Sequence, residues 1–136
     1  VKKTASLDIG LKRIGVALCL GANIVTPQEA ILRKNRDQAA HDVDAFLKTW
    51  EIERLVVGLP KGGSSEEEME RRIKHFVGLL HFEGEVCYQD EYGSSLEAKE
   101  MMQGVIRQKR DGRIDSLAAK VILERYLDAL KAAQHG

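Results

Sequence analysis

With 136 residues, 43% of them apolar and 31% charged, the chain has the size and composition of one globular domain spanning 1–136, which excludes the disordered class. Lysine plus arginine and aspartate plus glutamate balance at 21 each, which excludes a uniformly basic surface; a nucleic-acid site would need local segregation of charge. No zinc-ligand spacing, histidine pair, signal-peptide pattern or bilayer-length apolar run occurs, so the sequence is expected to work in a reducing cytoplasm, off the membrane, with Cys19 and Cys87 as small hydrophobes.

Strand one is expected over about 4–9 and strand two over about 13–20, joined by a tight turn. Gly10 and Gly15 let the backbone bend or approach another chain segment, and Lys12 and Arg13 place two cations beside the turn. Gly21-Ala22-Asn23 signals a turn, and strand three, 24–32, holds Pro27, which suits an edge strand. A helix over 37–50 presents Ala39, Val43, Phe46, Leu47 and Trp50 at helical spacing. Leu55–Leu59 is a continuous apolar run, as in a strand covered on both sides. Lys61 to Ser65 reads as a loop with solvated charge, where Gly62-Gly63 matches no phosphate-loop spacing. Glu66–Glu68 favour the first turn of a helix reaching about residue 80. Strand five follows at 85–89, then a helix capped by Ser94 and Glu97, a basic stretch over 104–112, and a last helix from near Asp115 to about Leu130 with a frayed tail.

This order gives an α/β fold with a five-stranded mixed sheet: three antiparallel strands, then two parallel to the first, with helices on both faces. The carboxyl ends of strands one, four and five then share one edge, where α/β proteins place their sites. Asp8 ends strand one, Asp90-Glu91 ends strand five, and Asp115 opens the last helix. Carboxylates from separate segments suit hard cations such as Mg²⁺ or Mn²⁺, and two such ions about 4 Å apart can activate water against a phosphodiester. The ordinary alternatives are a helix cap for Asp115 and turn residues for Asp90 and Glu91. Asp8 is harder to explain away, because an acid between Leu7 and Ile9 is costly in an apolar strand without a partner. Lys12, Arg13, Arg107, Lys109, Arg110 and Arg113 fall on segments that can border this edge and contact phosphates.

The motifs Asp8-x-Gly10-x-Lys12-Arg13-Ile14-Gly15-Val16-Ala17, Val56-Val57-Gly58-Leu59-Pro60, Asp90-Glu91 and Ile114-Asp115-Ser116-Leu117-Ala118-Ala119-Lys120 occur in that order. Together they resemble the YqgF/RuvX family, Holliday-junction-resolvase-like proteins of the RNase H-like superfamily. The resemblance runs from about residue 5 to 130. It implies an RNase H-like fold and a metal-dependent nuclease that trims the 5′ end of pre-16S ribosomal RNA, with cleavage of branched DNA as the older proposal. It also implies that Asp8, Glu91 and Asp115 are the catalytic, metal-binding acids. Two positions depart from the family pattern: Tyr92 stands where an arginine is usual, and Leu20 where an acid is frequent. A non-cleaving nucleic-acid-binding protein of the same fold is the competing reading. A phosphotransferase of the sugar-kinase or actin type would need a second such domain.

Overall fold

A computed structural model describes residues 2–60, 66–90 and 116–135. Five strands, β1 (Thr4–Ile9), β2 (Arg13–Cys19), β3 (Thr26–Leu32), β4 (Arg54–Leu59) and β5 (Glu85–Asp90), form one sheet in the order β3-β2-β1-β4-β5. β1 and β2, and β2 and β3, pair antiparallel; β1 with β4, and β4 with β5, pair parallel. Helices α1 (Arg36–Thr49), α2 (Glu66–Gly78) and α3 (Leu117–His135) cover the sheet. The expected mixed sheet is therefore present. The basic stretch and the helix expected after Ser94 lie outside the described residues.

Alternation along the strands divides the apolar residues between two cores. Leu7, Val16, Leu55 and Val57 pack with Ala39, Val43 and Leu47 of α1 and Ile73 and Phe76 of α2. Ala17, Cys19 and Val56 pack with Ala119, Ile122 and Leu123 of α3 on the other face. β1 and β4 are covered on both sides, which is why they read as nearly unbroken apolar runs. Thr4 and Ser6 are buried polar residues in β1. The Thr4 hydroxyl donates to the Lys2 carbonyl at 3.1 Å, and that of Ser6 donates to the Ala119 carbonyl at 2.7 Å, which stitches β1 to α3.

Several boundaries differ from expectation for local reasons. Asn35 caps α1 through a reciprocal capping box with Gln38, so the helix starts one residue early. Trp50 belongs to the C-cap rather than the apolar face, and 38% of it is exposed. β3 starts at Thr26 because Ala22 and Asn23 take left-handed backbone angles and extend the turn. It lies at the sheet edge, where Pro27 needs no partner for a missing N–H. The tail is helical through His135 because Lys131-Ala132-Ala133-Gln134 are good helix formers with no breaker before Gly136. Both cysteines are free, Cys19 buried and Cys87 half-buried. Among the described residues no helix is long and apolar enough to cross a membrane.

The end of the sheet away from Asp8 is tied by charge. The Glu85 carboxylate accepts from Lys2 Nζ at 2.9 Å, Cys87 Sγ at 3.4 Å and Arg54 Nε at 3.2 Å. These bonds, the lysine's foremost, hold its pKa at about 2.

Candidate active site

Asp8 is the penultimate residue of β1 and is half-buried. Its side chain shares a face with Ser6, the face covered by α3, because alternate strand residues point the same way. Across β2 its partner is Gly15. On the other side, Val57 pairs with Leu7, so the next residue of β4 toward the carboxyl edge is Gly58, which pairs in turn with Gln89. Asp8 is thus flanked on both neighbouring strands by residues without side chains. Cross-strand Cβ atoms normally approach to about 5 Å, and neither of these two buried glycines places one beside the carboxylate. Sequence reasoning assigned Gly15 to the turn and gave Gly58 no role. Only the register shows that both border Asp8.

The turn after β1 is held tightly. Gly10 N–H donates to the Arg13 carbonyl at 3.0 Å, and a Cβ on Gly10 would lie 2.7 Å from that same oxygen. Arg33, following β3, donates its backbone N–H to the Lys12 carbonyl at 2.8 Å and Nη1 to the Gly10 carbonyl at 3.0 Å. Lys12 and Arg13 are exposed on this turn, so the structure brings both expected cations to the Asp8 edge.

Ser116 anchors the start of α3, a duty the sequence does not reveal. It is fully buried, and its hydroxyl accepts the Val16 N–H at 2.9 Å. The β2–β3 register shifts between Ile14 and Val16, so the ladder is interrupted at this point and the side chain of Ser116 supplies an acceptor there. Lys120 N–H donates to the Ser116 carbonyl at 2.9 Å, the first bond of α3. Ser116 therefore occupies the N-cap position, and Asp115 precedes the cap. Asp115, expected as a cap, lies outside the described residues. Val16 pairs with Leu7, one step from the Asp8–Gly15 pair. The start of α3 is thereby anchored beside Asp8.

Of the other expected residues, Asp90 ends β5 at the same edge and is exposed. Glu91, Tyr92, Arg107, Lys109, Arg110, Arg113 and Asp115 lie outside the described residues. Among the described residues no three histidine, cysteine or acidic side chains cluster as a metal site. The donor chemistry at Asp8 nevertheless suits a hard cation: a carboxylate oxygen at a strand end, with bare backbone on either side.

Comparison with known proteins agrees with this architecture. The model of the family described as "RuvX: Holliday junction resolvase" matches residues 2–129. A Sulfurovum sp. (strain NBC37-1) protein named as a pre-16S rRNA nuclease is 70% identical over 125 residues, covering 92% of this chain and 98% of its own. One from Campylobacter jejuni subsp. doylei with the same name is 54% identical over 129 residues, covering 95% and 99%. Among solved structures, T. thermophilus RuvC in complex with a Holliday junction substrate superposes with a TM-score of 0.62 over 97% of each chain at 14% identity. That likeness shows the fold, RuvC-like and hence RNase H-like. A family model spanning nearly the whole sequence, and relatives more than half identical along almost their full length, lead to one conclusion: the chain belongs to the RuvX family.

Proposed function

We propose that this chain is a metal-dependent nuclease that hydrolyses phosphodiester bonds in the cytoplasm, processing the 5′ end of pre-16S ribosomal RNA during ribosome biogenesis. The observation that carries the reading is the setting of Asp8, a half-buried acid at the carboxyl edge of a parallel strand, bordered by Gly15 and Gly58, with the start of α3 anchored beside it. The names of the relatives support the substrate.

In this reading Asp8, Glu91 and Asp115 would hold Mg²⁺ or Mn²⁺ and are the catalytic acids. Glu91 follows Asp90 at the end of β5, and Asp115 precedes Ser116 in the chain, so the described neighbours of both acids reach the edge where Asp8 stands. A divalent cation bound there supplies an activated water and stabilises the leaving oxygen. The protein's own part is to fix Asp8 through the buried β1, with side-chain-free Gly15 and Gly58 on either side of it. Lys12 and Arg13 then offer cations to the backbone, joined by Arg107, Lys109, Arg110 and Arg113.

Branched DNA is the second reading, favoured by the description of the family. The purified protein with Mn²⁺ should be offered an RNA carrying the 5′ leader of 16S rRNA and, separately, a four-way DNA junction. Cleavage of the RNA, abolished by EDTA, is expected. Cleavage of the junction alone would replace the substrate, and cleavage of neither would favour a binding protein.

A further inference from the structure

The Asp8 edge carries a second feature, on the opposite face of the sheet. A cavity of about 280 Å³ opens there, and Ile9 and Leu11, immediately after Asp8 in the chain, form one wall. Arg33, Arg36, Arg72 and His75 converge on it from the end of β3, the first turn of α1 and α2. In a chain whose formal charge is zero, this gathers three guanidinium groups and an imidazole into one recess. Their duties differ. Arg33 is committed, bonding the Gly10 carbonyl at 3.0 Å and lying over the Phe76 ring at 5.3 Å from its centroid. Arg72 shares an exposed ion pair with Glu68 at 2.7 Å, a contact that water screens. Arg36 is exposed and makes no ion pair among the described residues. Its position in the first turn of α1 adds the positive end of the helix dipole, in a turn that also carries Asp37 and whose Gln38 N–H is capped by Asn35. The remaining lining is apolar: Leu11, 70% exposed, faces the recess together with Met69.

We infer that this recess is a subsite for one unpaired nucleotide of the substrate, beside the catalytic edge: Arg36 and Arg72 take its phosphate, and Leu11 and Met69 take its base or ribose. Cations alone would serve any duplex backbone. The exposed leucine and the methionine have a use only for a base free of its stack, the form in which single-stranded RNA is recognised. Asp8 and Ile9 are adjacent residues whose side chains leave the strand on opposite faces, so a strand crossing the sheet edge touches both the acid and the recess. A larger cavity of about 360 Å³ does not compete, since it lies by Asn23 and Val25 at the far end of the sheet and mixes Glu124 and Asp128 with Arg125 and Lys131.

The inference rests on the nuclease reading, and one experiment separates the two. The protein, with isoleucine and methionine methyl groups labelled, is titrated in EDTA with a short single-stranded oligouridylate and with a blunt RNA duplex. Expected are shifts of the Ile9, Ile73 and Met69 methyl signals with the single strand. The Arg36→Gln/Arg72→Gln variant should show a salt slope shallower by about 0.7 per lost phosphate contact. Single-strand binding that leaves these methyls unmoved, or movement with the duplex alone, overturns the subsite while leaving the nuclease intact. Binding of neither probe overturns both. The methyl shifts are read on the unsubstituted protein, so they decide the matter even if the double variant folds poorly.

Discussion

Asp8→Asn is expected to reduce metal-dependent cleavage by more than about 100-fold, the upper end of what losing an outer partner of a metal ligand costs, because in the proposed function a direct ligand would be lost. The fold should survive. Asparagine is nearly isosteric, the position is only half-buried, and the cores on either side are built from Leu7, Val16, Val56 and Ile122 rather than from Asp8. Thermal melts in EDTA should therefore nearly superimpose while the rate in Mn²⁺ collapses. Wild-type cleavage by the purified variant would remove Asp8 from the site.

The second large effect separates two neighbouring residues. Ser116→Ala takes the acceptor away from the buried Val16 N–H and should cost about 1–3 kcal/mol of stability. With Ser116 at the N-cap position, Asp115→Ala should leave the melting temperature nearly unchanged. Activity should reverse the order. Asp115→Ala is expected to lose cleavage, whereas Ser116→Ala, assayed below its lowered melting temperature, should lose no more than about 10–100-fold, as for a group acting through a ligand. Melts paired with cleavage rates test this. A large melting shift for Asp115→Ala with normal cleavage would return that residue to a purely structural role.

How far the sequence carried these conclusions depended on how local each signal was. β1, β4 and the acid at the end of β1 were legible because an apolar run and a misfit aspartate are properties of a few consecutive residues. Pro27 marked the edge strand for the same reason, since a missing N–H has few places to go. The glycine row around Asp8 was not legible, because Gly15 and Gly58 become its neighbours only through the pairing of three strands. The duty of Ser116 was hidden likewise: its hydroxyl serves a register shift a hundred residues earlier in the chain. Asp115 looked like a cap because aspartate is a favoured capping residue; the Lys120–Ser116 bond puts Ser116 at the start of α3, and Asp115 itself lies outside the described residues. The arginine recess left no trace in sequence spacing at all, as its cations come from three elements that the fold alone brings together.

In the proposed function, acids from three distant segments form one metal site. Mn²⁺ titration followed by the electron paramagnetic resonance of the free ion tests it most directly, on the wild type and on Asp8→Asn, Glu91→Gln and Asp115→Asn separately. Saturable binding by the wild type and a marked weakening in each of the three variants are expected, with folding unchanged by circular dichroism. Wild-type Mn²⁺ affinity in all three would contradict it.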